Sequence, residues 1–338
     1  MNKRLSKLEA RRSDPLVTTA RQLNEVYKRV SESESVKYAI GSMQPIDPEY
    51  TKNTYLQAER VCKQLDNRLT TECEFEYQGS VTNDTHIKAK SDIDVLLVIK
   101  KFYVLEAPQK SLYPYAGDTT QDLLDLRNEA SQSLIAAFPE ATVDTSGGKS
   151  IAVNGGSLRR KVDVVPSNWL DTNNYAQSKN KIYRAVEIID ARTRIKHKNT
   201  PFLHNYMVNQ KDIVSAGGLR KCARLMKSLK YDSDVIEFSS YDITSLAYSI
   251  PTDNLVVSAG MDLALVDICF EFCNYTVSNQ AHRDSLLVPD GHRRIFEQGH
   301  ATLCGLRQLT QELYNLRQDI LAENVRSFKK LEEARVYF

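Results

Sequence analysis

The chain is most informative first for what it lacks. No stretch of its 338 residues approaches the roughly 18 uninterrupted apolar residues of a membrane helix, and the start, MNKRLSKLEARRSDP, lacks the apolar core of a secretory signal. A soluble, cytoplasmic protein is the expectation. The six cysteines (Cys62, Cys73, Cys222, Cys269, Cys273, Cys304) contain no CxxC pair, which excludes a disulfide framework or zinc ribbon and predicts reduced, mostly buried thiols. Charge of one sign is also missing. With 45 Lys and Arg against 43 Asp and Glu the formal charge is +2, so no polyanion or membrane surface is advertised. There is no internal repeat and no low-complexity tract.

What is present is ordinary globular composition, 41% hydrophobic and 26% charged, long enough for about two domains. Apolar spacing predicts helices across Leu16 to Val30 and Asp47 to Leu69. The basic start (Lys3, Arg4, Lys7, Arg11, Arg12) reads as a solvated helical face. Short β-branched and aromatic runs at Phe75 to Tyr77, Ile93 to Ile99, Ala141 to Asp144, Ser150 to Val153 and Lys161 to Val165 predict a mixed sheet. Thr119 or Thr120 is the expected cap of a helix reaching Ala137. Beyond Pro201 the pattern is helical, at Leu219 to Leu229, Tyr241 to Tyr248, Asn254 to Tyr275 and Arg293 to Arg335. The expected division is 1–200 for an α+β core and 201–338 for a helical domain.

The segment with chemistry in it is Gly79-Ser80, eleven residues, then Asp92-Ile93-Asp94 opening the apolar run Val95-Leu96-Leu97-Val98-Ile99. Alternate strand residues share a face about 6.6–6.8 Å apart, so Asp92 and Asp94 would stand side by side at the mouth of a buried strand. Hard carboxylate oxygens there suit a pair of Mg²⁺ ions about 3.5–4 Å apart. Two charges at a core boundary otherwise lack compensation. Asp163, in Lys161-Val162-Asp163-Val164-Val165-Pro166, is a third acid on a second apolar strand. A lone Asp-x-Asp is more often a turn or solvated edge; the ordered set carries the reading. The Gly79-Ser80 turn, read as leading into a helix, would offer N–H groups and a hydroxyl to a triphosphate.

These residues resemble the DNA polymerase β-like nucleotidyltransferase superfamily. Thr85-His86-Ile87-Lys88, the sequence around Asp163 and the stretch from Gly217 to Lys230 narrow the resemblance to its cGAS/DncV-like branch, whose bacterial members belong to anti-phage defence operons. The resemblance spans about residues 15–330 and implies an α+β nucleotidyltransferase core followed by a helical domain, with nucleotides held between them. It implies that Asp92, Asp94 and Asp163 are catalytic metal-binding acids, that Gly79 and Ser80 meet the triphosphate, that Lys227 neutralises its β- and γ-phosphates, and that Ser240 at a helix start also reaches phosphate. The implied cofactor is two Mg²⁺ ions, with Mn²⁺ as a substitute. The implied substrates are nucleoside triphosphates, ATP and GTP among them, and the implied partners are regulatory and effector proteins of a defence operon.

The implied reaction is in-line attack of a ribose hydroxyl on an α-phosphorus with loss of pyrophosphate, repeated to close a ring. Rival readings are a nucleotidyltransferase with a linear product or another acceptor (RNA 3′ ends, a protein side chain, an antibiotic) and a non-catalytic nucleotide sensor, against which the three intact acids argue. No zinc-ribbon insertion like that of the animal cyclic GMP-AMP synthase is present; His300 and Cys304 read as a packed helix face. Nucleic acid is therefore not expected as an obligatory activator. The cluster Arg192, Arg194, Lys196, His197, Lys198 reads either as a basic contact for RNA or a nucleotide or as an exposed interdomain connection. Base identity, linkage and ring size stay open.

Overall fold

The structure, a computed structural model, describes residues 3–12, 33–89, 91–233 and 235–335, the stretch from 324 as helix backbone only. In chain order the helices are α1 (Lys3–Arg12), α2 (Glu34–Met43), α3 (Pro48–Asp66), α4 (Thr119–Ala137), α5 (Asn173–Ser178), α6 (Pro201–Val214), α7 (Gly218–Asp232), α8 (Ser240–Ser249), α9 (Thr252–Leu255), α10 (Ala264–Ser278), α11 (Gln280–Ser285) and α12 (Leu303–Arg335). The strands are β1 (Cys73–Gln78), β2 (Ile93–Leu105), β3 (Thr142–Asp144), β4 (Ile151–Gly155), β5 (Leu158–Asp171), β6 (Ala185–Asp190) and β7 (Ile195–Asn199). The helix expected across Leu16 to Val30 lies outside the described residues.

Two compact units interleave along the chain, where the sequence reading divides it once, after residue 200. A sheet unit takes Asp47–Asp84 and Lys90–Tyr206; a helical unit takes the described residues within Met1–Ile46, Thr85–Ala89 and Met207–Phe338. The described residues 3–12 and 33–46 go with the helical unit because Leu5, Leu8, Tyr38, Ala39 and Met43 share one apolar core with Leu219, Met226 and Leu229.

In the sheet unit the strand order is β1-β2-β5-β4-β3, with β6 and β7 continuing from β5. The β2–β5 pair is parallel and the others are antiparallel. Strand β2 is buried on both faces, which explains its unbroken apolar run. Val95, Leu97 and Ile99 pack with Ala58, Val61, Leu65, Leu123, Leu126 and Leu134 of α3 and α4; Leu96 and Val98 meet Val165, Trp169, Val186 and Ile188 on the other side. Truncating Leu97 to Ala would cost about 2–5 kcal/mol. Pro166 tolerates this central strand because β4 pairs as far as Val164 and β6 begins at Ser167, leaving no ladder bond on that side for its missing N–H to donate.

Helix starts follow side-chain caps. Asp47 accepts from Glu49 N with Pro48 in the first turn, and Asp118, not Thr119 or Thr120, caps α4 by accepting from Thr120 N and Gln121 N. Strands β6 and β7 escaped the sequence reading: β7 is largely exposed and charged, so it has no apolar alternation to detect. The helix expected from Asn254 is split, since Gly260 adopts φ +84 and α10 starts only at Ala264. The one expected from Arg293 begins at Leu303, after a β-bridge between Leu287 and Arg294. His300 therefore precedes α12 and shares no helix face with Cys304.

The basic start is not a solvated face. Arg11 is buried, its guanidinium on both oxygens of Asp232 at 2.6 and 2.8 Å, and buried Arg12 donates to the carbonyls of Gln44 and Pro45. Nor is the Arg192–Lys198 cluster an interdomain connection. It forms the β6–β7 edge hairpin, with Lys196 paired to Glu187 at 2.8 Å and Lys198 to Glu106 at 2.5 Å. The cysteines are free and four of them are buried, as expected. Among the described residues no helix is long and apolar enough to cross a membrane.

Candidate active site

The parallel pairing of β2 with β5 sets Asp94 directly opposite Asp163. The same row continues to Gln78 on β1 and, through Ala152 on β4, to Asp144 on β3, so these residues share one face of the sheet. Asp92 precedes the strand, and its side chain is 56% exposed; the expected alternation of two acids along one strand gives way to a pair across two strands plus one acid at the lead-in. Gly79 makes the close approach possible. A Cβ on it would lie 2.5 Å from Asp94 Oδ2, and its φ of +92 already favours glycine.

The turn after Gly79 runs through residues 80–84 without becoming a helix. Thr82 Oγ1 donates to Gly79 O at 2.7 Å, and Asp84 N to Val81 O at 3.4 Å. Ser80 therefore offers its hydroxyl from a turn, with no helix N-terminus behind it, because these bonds close local loops in place of a helical ladder.

The electrostatics show a surplus of negative charge. Burial, then the charge of Asp163, push the Asp94 carboxyl from 3.8 to about 7, a rise that Lys161 opposes and Asp92 adds to. Asp163 is likewise raised, by burial first, despite Lys161 beside it. Lys161, two residues before Asp163 on the same strand face, places Nζ 2.7 Å from Asp163 Oδ2 and 3.6 Å from Asp92 Oδ2. The sequence reading missed Lys161, although the i, i+2 spacing to Asp163 was its signal.

Among the described residues no three acid, histidine or cysteine side chains close on one point; Lys161 sits between two of the acids. The donor set nonetheless fits hard divalent cations, being three carboxylates, two of them opposite each other in register and both raised by burial despite Lys161.

Lys227 and Ser240 belong to the helical unit. Lys227 lies on α7 four residues after Ala223, on a helix whose apolar positions Leu219, Cys222, Met226 and Leu229 face the core. It is only 5% exposed. Its Nζ donates to Thr85 Oγ1 at 2.6 Å and Thr85 O at 3.3 Å. Burial, then Arg224 and Lys230, pull its pKa from 10.5 down to about 7. Thr85, part of the short segment between Ser80 and Asp92 that joins the helical unit, is a partner that sequence spacing does not reveal. Ser240 is exposed and is the first residue of α8, while the cap is Ser239, which accepts from Asp242 N at 2.9 Å.

Comparison with known proteins gives the family. The chain is 37% identical over 307 residues to the cyclic dinucleotide synthase CdnE of Yersinia aleksiciae, covering 89% of this chain and 81% of the relative. It is 32% identical to a c-di-GMP synthase of Capnocytophaga granulosa over 88% of this chain and 90% of that one. The solved STING-associated CdnE c-di-GMP synthase from Capnocytophaga granulosa superposes with a TM-score of 0.80 at 28% identity, covering 95% of this chain and 99% of the other. No family model matches the sequence. The chain belongs to the cGAS/DncV-like nucleotidyltransferases (CD-NTases), a family of cyclic oligonucleotide synthases. The α+β class with a polymerase β-like core, expected from the motifs, holds.

Proposed function

We propose that this enzyme joins two nucleoside triphosphates into a cyclic dinucleotide second messenger of a STING-linked anti-phage system, with cyclic di-GMP as the product. The observation that carries the reading is the register pairing of Asp94 with Asp163 beside the Gly79 turn. Support for the product comes from relatives named c-di-GMP synthases. Support for the pathway comes from the STING-associated structure.

In each transfer a ribose hydroxyl oxygen forms a bond to the α-phosphorus of a triphosphate, the bond to the β-phosphate oxygen breaks in line, and pyrophosphate leaves with its electron pair. Asp92, Asp94 and Asp163 are the residues that would hold two Mg²⁺ ions, or Mn²⁺ in their place. Bound there, such cations would lower the hydroxyl pKa and neutralise the triphosphate. Asp163 lies opposite Asp94 and contributes to the nucleophile side, where its carboxylate accepts the hydroxyl proton. Ser80 donates its hydroxyl to a phosphate oxygen from a turn that Gly79 holds against Asp94. Lys227, buried without full charge compensation, gains its proton and its counter-ion together when phosphate arrives. Ser240 stands at the start of α8, where backbone N–H groups favour an anion. The formal net charge of only +2 supports activity without long nucleic acid.

The test is incubation of the purified chain with Mg²⁺ and each labelled triphosphate singly and in pairs. GTP alone is expected to yield a phosphatase-resistant species. Only phosphatase-sensitive linear products, or strict dependence on added duplex, would overturn the reading.

A further inference from the structure

The acid site contains a cation of its own. Lys161 Nζ is paired with Asp163 Oδ2 at 2.7 Å and with Asp92 Oδ2 at 3.6 Å, so one ammonium bridges an acid from β5 and the acid leading into β2. The bridge follows from the backbone: positions 161 and 163 project from the same face of β5. Asp163 is nearly buried, its side chain 12% exposed, whereas Lys161 retains 36% and Asp92 56%. The fixed partner is therefore the carboxylate, and the ammonium is the end that is free to leave along its four-carbon stem.

We propose that Lys161 is a displaceable placeholder cation that neutralises Asp163 and Asp92 in the metal-free enzyme and must leave before divalent ions take those carboxylates. The inference rests on the acid site proposed above. Divalent ions on the same oxygens would stand beside the ammonium and repel it, since like charges a few ångström apart are unfavourable even near a surface. Lys161 thus opposes metal binding while stabilising the empty site, and it sets the divalent-ion concentration at which the site fills.

The experiment measures Mn²⁺ binding by electron paramagnetic resonance, and melting temperature in chelator, for the wild type, Lys161→Met, Lys161→Gln, Lys161→Arg and Asp163→Asn, each checked for fold by circular dichroism. Lys161→Met and Lys161→Gln are expected to bind Mn²⁺ about one-and-a-half- to fivefold more tightly, the scale of a partly exposed ion pair, and to melt lower than wild type in chelator. Lys161→Arg should track the wild type in both. Raising KCl should shrink the differences. If Asp163→Asn abolishes Mn²⁺ binding but Lys161→Met and Lys161→Gln leave it unchanged or weaker, the placeholder is refuted and the acid site stands. If Asp163→Asn leaves Mn²⁺ binding intact, the acid site itself is refuted.

Discussion

Two ionisable groups of opposite sign, one in each unit, contrast with a buried ion pair, Arg11 and Asp232. Arg11 and Asp232 are both 3% exposed in their side chains, and one guanidinium nitrogen, Nη1, donates to both carboxylate oxygens at 2.6 and 2.8 Å; an opposite charge within hydrogen-bond distance, which a buried charge needs, is present. Asp94 and Lys227 lack it. The carboxyl is driven up to about 7 and the ammonium down to about 7, each toward neutrality, because burial in both cases exceeds the compensation at hand. Arg11 has its counter-charge at hand and these two groups do not; under the proposed function an external cation at the acids and an anion at the lysine would supply it.

The strongest way to break this comparison is to remove the acids. Asp92→Asn with Asp94→Asn is expected to lower kcat by roughly a thousandfold or more with the fold intact by circular dichroism; near wild-type turnover would end the acid assignment. Asp163→Asn should depress kcat more than it raises KM, and a pure KM effect would move it to substrate binding.

Lys227→Ala comes next. It is expected to weaken binding of a non-hydrolysable triphosphate by about 1.5–3 kcal/mol, the scale of a hydrogen bond to a charged group, as read by calorimetry. Ser240→Ala should lose less, and unchanged affinity in both would place the phosphates elsewhere.

The pH dependence of stability without metal or nucleotide sharpens the contrast further. Asp94 is raised from 3.8 to about 7, so its contribution is fully present below 3.8 and is lost as pH climbs to about 7. Lys227 is lowered from 10.5 to about 7, so the unfolded chain holds the extra proton between those values and stability rises with pH across that window. Relative to wild type, Asp94→Asn should flatten the acid limb of melting temperature and Lys227→Met the alkaline limb. Identical curves for wild type and both variants would contradict the strain assigned to the two groups. The smallest effect concerns a structural neighbour: Ser239→Ala should cost about 1 kcal/mol of stability as a lost cap, with triphosphate affinity nearly unchanged; a large affinity loss would transfer Ser240's role to Ser239.

The two strands are legible because Asp94 opens the five apolar residues Val95 to Ile99 and Asp163 interrupts Val162 and Val164-Val165-Pro166, and a carboxylate beside such residues is locally anomalous. Lys227 enters through the resemblance of its helix, and its burial against Thr85 is not readable from spacing. By itself the sequence determined the residue types at the site, the apolar strands that end in acids and the helical pattern of the second half, since these depend on neighbours a few positions apart. The tertiary structure decided what depends on distant residues meeting: the pairing of Asp94 with Asp163, 69 positions later, the packing of Leu5, Leu8, Tyr38 and Met43 with the later helices, the burial of Arg11 on Asp232, and the ammonium of Lys161 between two acids. Register, burial and charge compensation are properties of space, and a strand's sequence does not say which strand will lie beside it.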